Sequence, residues 1–432
     1  MGRMAANARE AAFMALSAWR ARGSWQDARF KASLSHLPRA ERSLATHIAY
    51  GVVSRALTLD GYIRHASSIG LSRVEPAALD ILRIGVYQIL FLTKIPKSAA
   101  VDQSVNLARV YARRAVSYIN AVLRAVSAWE TPPELDGLWR RKGHPEWLAD
   151  RLVRQEGPDR AAALMDFNNS AAPLCLNPKP GVDLAGMLAR AGIDARRHPL
   201  GCLLVERAGA VEELPGYAEG DFLVADAAAR AAVLAAAPKP GEAVLDACAA
   251  PGGKTVLMNW IAGGGLTVTA CDLHERRVRD LQVTLAKYGM DGVKCMERDA
   301  SVFHADFAGA FDLVFADVPC SGFGVIRKKP DIRYKKELEV AGLPLVQEAI
   351  LNNLALYVKP GGRLVYVTCT VLREENGDVV ERFLKRHTEF GLEPFAPPPG
   401  VLPGDTAGGT FAVWPPEHDM DGFYMARMRK ER

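Results

Sequence analysis

Between residues 243 and 368, strand candidates recur at 243–247, 266–271, 294–297, 311–316 and 363–368, with helical stretches between them. No other feature of the chain limits its fold so tightly. A strand followed by a helix and a second strand in the same sheet makes a crossover, and crossovers join parallel strands. The expectation is an open α/β sheet whose ligands bind outside the carboxyl ends of its strands.

The chemistry should therefore be legible at those ends. The first run leads into "VLDACAAPGGKT", residues 244–255, which looks like a phosphate loop. A phosphate loop needs a glycine, four residues and then Gly-Lys-Ser/Thr. Gly253-Lys254-Thr255 supplies the second half, but the first glycine falls on Cys248. The dinucleotide fingerprint fails as well, because no Gly-x-Gly precedes the helix. The second run ends at Asp272, where a carboxylate grips a ribose with two free hydroxyls, and the third leads to Asp299, suited to an adenine amino group or a neighbouring backbone. Adenosine without a polyphosphate fits this set better than ATP, and S-adenosylmethionine is the natural candidate. One strand-end aspartate is explained as well by a helix cap; Asp246 at the end of the first run, Asp272 and Asp299 together are not.

The fourth run ends Asp317-Val318-Pro319-Cys320 and the fifth Thr368-Cys369-Thr370. A lone strand-end cysteine is usually a small buried hydrophobe. Two of them at successive strand ends, beside a methyl-donor site, read as reactive thiols. Oxygen and nitrogen nucleophiles take a sulfonium methyl with little more than positioning. The C5 carbon of a pyrimidine does not, because the ring withholds its electrons. A thiolate adding at C6 makes C5 nucleophilic, and a base must later remove the C5 proton so that the sulfur can leave. Asp317 and Lys254 are the polar partners available to the ring N3 or to the thiolate, and the sequence leaves their roles open.

Ahead of this region the chain changes character. Residues 1–130 hold 18 Lys/Arg against 8 Asp/Glu, so a net of +10 precedes a remainder of −5. Such asymmetry suggests a nucleic-acid footprint. From 6 to 128 the apolar spacing is helical throughout: Ala12, Leu16 and Trp19 with Phe13 alongside, then Leu79, Leu82, Ile84, Val86 and Leu90 after Pro76. We expect an all-α bundle over 1–130, a linker over 131–141 where two prolines fall, a small α+β RNA-binding module over 142–226, and the α/β domain over 227–432. The run "RKKPDIRYKK", 327–336, sets six basic residues just after Cys320. Arg327 and Arg333 are the expected phosphate contacts, positioning RNA without reading its sequence.

"LRIGVYQILFLTKIP" and "YINAVLR" resemble the NusB-type RNA-binding helical domain. "DACAAPGGKT", "DVPCSGFGVIRKKPDIR", "VTCTVLREENGDVVERFL" and "DGFYMARMRK" closely resemble the RNA cytosine-5 methyltransferases of the Sun/NOL/NOP class. The whole chain is similar to the bacterial RsmB (Fmu/Sun) type. The resemblance implies a multidomain protein with a Rossmann-like methyltransferase domain that methylates cytidine C5 in 16S ribosomal RNA. It assigns the nucleophile to Cys369 and product release to Cys320. Cofactor contacts fall on the loop Cys248, Ala249, Ala250, Pro251, Gly252, Gly253 and Lys254, and on Asp272, Asp299 and Asp317. Three departures from the family pattern stand out: Val318 and Phe323 in the Pro-Cys motif, Thr370 after Cys369, and Val224-Ala225-Asp226 before the first strand. None removes a thiol or a cofactor acid, but Phe323 adds apolar bulk beside the base pocket.

The substrate is expected to be ribosomal RNA presenting an unstacked or single-stranded cytidine, because flipping a base out of a stack costs a few kcal/mol. The same chemistry on transfer RNA, or a non-catalytic RNA-binding or assembly factor, are the alternatives; a pure binder needs neither Cys320 nor Cys369. The protein partner of the helical domain is unknown. The cysteines at 175, 202, 248, 271, 295, 320 and 369 form no Cys-x-x-Cys pair, and no histidine lies at zinc-finger spacing, so no metal is expected. No eighteen-residue apolar run and no signal-like start appear, and the odd count of scattered cysteines suits reduced thiols in the cytoplasm.

Overall fold

In the computed structural model of the protein, which describes residues 4–23, 25, 27–206, 209–396, 406 and 408–431, the stretch expected to be helical is helical. Asn7 caps the helix Ala8–Arg22, its side chain accepting from the N–H groups of Arg9 and Glu10. Pro76 opens Pro76–Phe91 at a position where its missing N–H costs nothing. Leu82, Ile84 and Val86 of the expected stripe are fully buried, whereas Leu79 and Leu90 are half-buried. They pack with Ile48, Val52 and Leu59 of Arg39–Ala66, Ala100 and Ala108 of Lys97–Tyr111, and Ile119 and Leu123 of Val116–Ser127.

This helical unit extends to Asn169 and also takes in Lys329–Tyr334, so the expected domain limits need revision. The stretch 131–141 is not an open linker. Leu135 is buried, Leu138–Lys142 is a short helix, and the Thr58 hydroxyl donates to the Arg140 carbonyl at 2.7 Å. Prolines 132 and 133 interrupt a helix, which does not prevent the segment from packing. Glu146–Glu156 and Pro158–Asn168, expected in the small module, also belong to the helical unit. They bury Leu148, Leu152, Leu164 and Met165, and Asn168 hydrogen-bonds buried His144 at 3.2 Å.

The second unit holds Ser170–Lys328 and the chain from Lys335 onward. Its first part is a four-stranded antiparallel sheet of Leu174–Pro178 (β1), Arg196–Arg197 (β2), Leu203–Val205 (β3) and Phe222–Val224 (β4), in the order β2-β3-β1-β4. Cys175, Cys202, Leu204 and Leu223 share one apolar core with the helix Ala227–Ala236 and the large sheet. The strands of that large sheet are Ala243–Asp246 (β5), Thr267–Asp272 (β6), Lys294–Glu297 (β7), Phe311–Asp317 (β8), Val358–Thr368 (β9), Phe390–Leu392 (β10), Thr410–Ala412 (β11) and Tyr424–Lys430 (β12). Its order is β7-β6-β5-β8-β9-β12-β10, with β11 beside β12. β5 to β9 run parallel, and β10, β11 and β12 pair antiparallel.

Two consequences bear on the site. The chain travels from β5 outward to β6 and β7, then returns to β8 on the other side of β5, so the switch point lies between β5 and β8, where such sheets bind ligands. The antiparallel strand β12 sets Tyr424 opposite Thr368, so the turn before β12 joins the end of β9. Among the described residues no helix is long and apolar enough to cross a membrane.

Candidate active site

The loop after β5 is built for close approach. Gly252 caps the helix Gly253–Ile261 with φ of 108°, and a Cβ there would stand 2.9 Å from a Leu281 methyl, so only glycine fits. The Ala249 N–H donates to the Cys271 carbonyl at 2.7 Å and the Ala250 N–H to Asp272 Oδ2 at 3.2 Å, which ties the loop to the end of β6. Arg277 adds a bond to the Ala250 carbonyl at 2.9 Å and pairs with Asp272 at 3.4 Å. Burial pushes the Cys248 thiol well up, which disfavours its thiolate.

Two carboxylates here have unused acceptors. Asp246 ends β5 fully buried, with Oδ2 taken by the Thr255 hydroxyl at 2.7 Å, and its Oδ1 has no partner. Buried Asp272 likewise leaves Oδ1 unpartnered. A buried acceptor without a donor costs about 1–3 kcal/mol. Donors on a bound molecule, such as ribose hydroxyls or an ammonium group, would satisfy both, so the residues present fit S-adenosylmethionine. Asp299 lies two residues beyond β7, half-buried. It accepts from the Ser301 N–H at 2.8 Å and the Ser301 hydroxyl at 2.6 Å, and these bonds hold its carboxyl below the usual range.

Asp246 gives a pH-dependent result. Burial above all pushes its carboxyl up to about 7. In the unfolded chain it ionises near 3.9, so between these values the folded state binds the extra proton and stability falls as pH rises through this window. The loss is at most about 4 kcal/mol. Asp246→Asn removes the buried charge, so at pH 8 its ligand-free melting temperature should exceed the wild type's by several degrees, with the gap closing at pH 4. Calorimetry of both proteins at the two pH values checks this; a variant that melts no higher at pH 8 rules it out.

At the switch point Lys254 Nζ donates to Asp317 Oδ2 at 2.6 Å. Burial pulls the ammonium down, but the Asp317 charge, its hydrogen bond and the negative charge of an ionised Cys369 outweigh this and leave it raised. Lys254 therefore stays a cation, 5.5 Å from the centre of the Phe423 ring supplied by the turn before β12. Beside it lie the two cysteines. Cys320 Sγ and Cys369 Sγ are 3.1 Å apart, both are half-buried and in no disulfide, and the Cys369 N–H points at Cys320 Sγ at 3.3 Å. A disulfide would need about 2.05 Å. The hydrogen bond to Cys369, together with burial, drives the Cys320 thiol well above its ordinary value.

The loops that carry the thiols are held tightly. The Gly324 N–H donates to the Cys369 carbonyl at 2.9 Å and the Gly422 N–H to the Gly324 carbonyl at 2.8 Å. A Cβ on Gly324 would lie 1.8 Å from the Gly422 oxygen. Phe323 is buried, at 1 % exposure.

The basic run is largely consumed within the chain. Arg333 is fully buried, bonding the carbonyls of Ser54, Gly143, Pro330 and Asn168 and the Asn169 side chain. It holds the helical unit together, and its expected phosphate contact is corrected. Arg327 binds the Ala171 carbonyl and Asp419 Oδ1, so its guanidinium is already engaged. Lys328 joins Asp226 and Asp421, and Lys335 donates to the Ser321 carbonyl at 2.8 Å. A run of like charges reads the same whether it faces phosphates or buried carbonyls, which is why the sequence misled here. Among the described residues no group of three or more His, Cys, Asp or Glu side chains is placed to hold a metal.

Against known proteins, residues 6–128 match the family model described as NusB family, and 233–429 match that described as 16S rRNA methyltransferase RsmB/F. The "Probable ribosomal RNA small subunit methyltransferase B" of Synechocystis sp. is 32% identical over 446 residues, covering 98% of this chain and 99% of its own. The "Ribosomal RNA small subunit methyltransferase B" of Klebsiella pneumoniae is 31% identical over 408 residues and 91% of each chain. The crystal structure of PH0851, 24% identical, superposes with a TM-score of 0.81 over 98% of each chain, which shows that the fold is shared.

Proposed function

Because the chain belongs to the RsmB/F family of 16S ribosomal RNA methyltransferases, enzymes dependent on S-adenosylmethionine, we propose that it methylates C5 of a cytidine in small-subunit ribosomal RNA through a transient bond from Cys369. The observation that carries this reading is the pair of thiols 3.1 Å apart at the ends of adjacent parallel strands, next to the Lys254–Asp317 ion pair. An RNA-binding factor without chemistry has no use for that arrangement.

Cofactor binding falls to the loop Cys248–Lys254, to the open carboxylate oxygens of Asp246 and Asp272, and to Asp299. S-adenosylmethionine, when bound, supplies an electrophilic methyl group. Asp317 anchors Lys254, whose positive charge favours the thiolate form of Cys369 and whose ammonium is the proton-bearing group available to N3. An ion-paired carboxylate does not serve as that donor. The Cys369 thiolate bonds to C6, the electrons of the C5–C6 double bond move to C5, and C5 uses them to bond the methyl group that a bound cofactor would supply, the cofactor's sulfur keeping the electrons of the bond it loses. The Cys369 sulfur is then an uncharged thioether, so Cys320, 3.1 Å away, no longer faces a negatively charged neighbour. Cys320 becomes easier to ionise at the stage when a base is needed. Having passed its own proton to solvent, Cys320 removes the C5 proton as a thiolate, the C5–C6 double bond re-forms, and the C6–S bond breaks to release Cys369 as a thiolate.

Purified protein should transfer label from radioactive S-adenosylmethionine to one cytidine of unmodified small-subunit ribosomal RNA, read as 5-methylcytidine by nucleoside mass spectrometry. Label in transfer RNA alone would overturn the substrate, and label on a ring nitrogen or ribose oxygen would overturn the chemistry.

A further inference from the structure

Glu375 is fully buried, lies outside the reacting pair, and is used by nothing described so far. Its Oε2 accepts from the Ser321 N–H at 2.8 Å and the Gln347 side-chain amide at 2.9 Å, and its Oε1 from the Thr370 hydroxyl at 3.3 Å. Ser321 follows Cys320 and Thr370 follows Cys369, and the two hydroxyls meet at 2.7 Å. Gln347 also donates to the carbonyl of Pro319, the residue before Cys320, at 3.0 Å. Next in the chain, Asn376 accepts from the Thr368 hydroxyl at 2.6 Å and donates to the Thr370 carbonyl at 3.1 Å. The dipeptide Glu375-Asn376, with Gln347, thus grips the residue on either side of each cysteine.

The two thiols depend on this grip unequally. Cys369 directly continues β9, which is paired on both edges, by β8 and by β12. Cys320 sits three residues beyond β8. Within that loop Pro319 is fixed through Gln347, and Ser321 through Glu375 and Lys335.

We propose that Glu375 is a positioning residue for release of the methylated product. Its hydrogen bonds set Cys320 against Cys369, and without them the adduct still forms but leaves slowly. The inference rests on the two-thiol mechanism proposed above.

The test compares variants of the full chain incubated with S-adenosylmethionine and ribosomal RNA, reading protein–RNA adduct on denaturing gels beside methyl transfer. Glu375→Ala should raise the steady-state adduct fraction at least ten-fold and lower turnover by a similar factor. Glu375→Gln should restore both, since its oxygen can accept from Ser321 and Gln347 while its amide donates to Thr370. Should Glu375→Ala not fold, Thr370→Val severs the tie more gently and should raise adduct several-fold. A purely structural role would lower adduct and methylation together. Wild-type adduct levels in Glu375→Ala or Thr370→Val, or a Glu375→Gln protein that behaves like Glu375→Ala, would overturn the inference. Cys320→Ala is the benchmark: absence of adduct there defeats the two-thiol mechanism itself, whereas adduct there but not in Glu375→Ala defeats only the role of Glu375.

Discussion

Cys369→Ser abolishes methyl transfer, with a loss of about 10³-fold or more. Serine keeps the size and most of the hydrogen bonding of the thiol, so the half-buried loop should close as before. A hydroxyl, however, is scarcely ionised beside Lys254 and is a weak nucleophile toward a pyrimidine ring. Cofactor affinity, measured by calorimetry, should be unchanged, because the open acceptors of Asp246 and Asp272 lie on other strands. Loss of turnover with retained cofactor binding separates a chemical role from a structural one. Turnover within a factor of ten of wild type would end the covalent mechanism.

The second large effect runs the other way on a gel. Cys320→Ala leaves the nucleophile in place and removes the group positioned to take the C5 proton, so protein bonded to RNA accumulates while turnover drops by about 10²–10⁴-fold. Most of the enzyme should migrate as an adduct after one turnover, and the adduct should need S-adenosylmethionine. The double substitution Cys320→Ala with Cys369→Ser should form none. If Cys369→Ser alone were to trap RNA and Cys320→Ala were not, the two roles would be exchanged.

The strand ends were readable because most of the parallel strands are buried on both faces and give apolar runs, the edge strand β7, with exposed Lys294 and Glu297, being the exception. All five expected runs overlap β5 to β9, and Asp272, Asp317, Cys320 and Cys369 fall where that reading puts them. Asp246 was visible as a strand end but not as an open acceptor, since the lack of a partner is a property of three dimensions. Glu375 was hidden more deeply. "REEN" looks like a solvent-facing charged turn, and only the fold shows its second acidic residue fully buried. β12 escaped notice because an antiparallel strand at the far end of the chain follows no βα rhythm. Arg333 was misread because charge patterning reports where cations are, not which way they point.

The six residues Lys329–Tyr334 belong to the helical unit although the chain on both sides of them belongs to the other. Arg333 caps main-chain carbonyls of Ser54 and Gly143, and the Tyr334 hydroxyl donates to the Val53 carbonyl at 2.6 Å. The polypeptide therefore passes between the units three times, not once. A fragment cut after Asn169 would lack its own internal plug, and a catalytic fragment begun at Ser170 would carry an orphaned buried-type loop just downstream of Cys320.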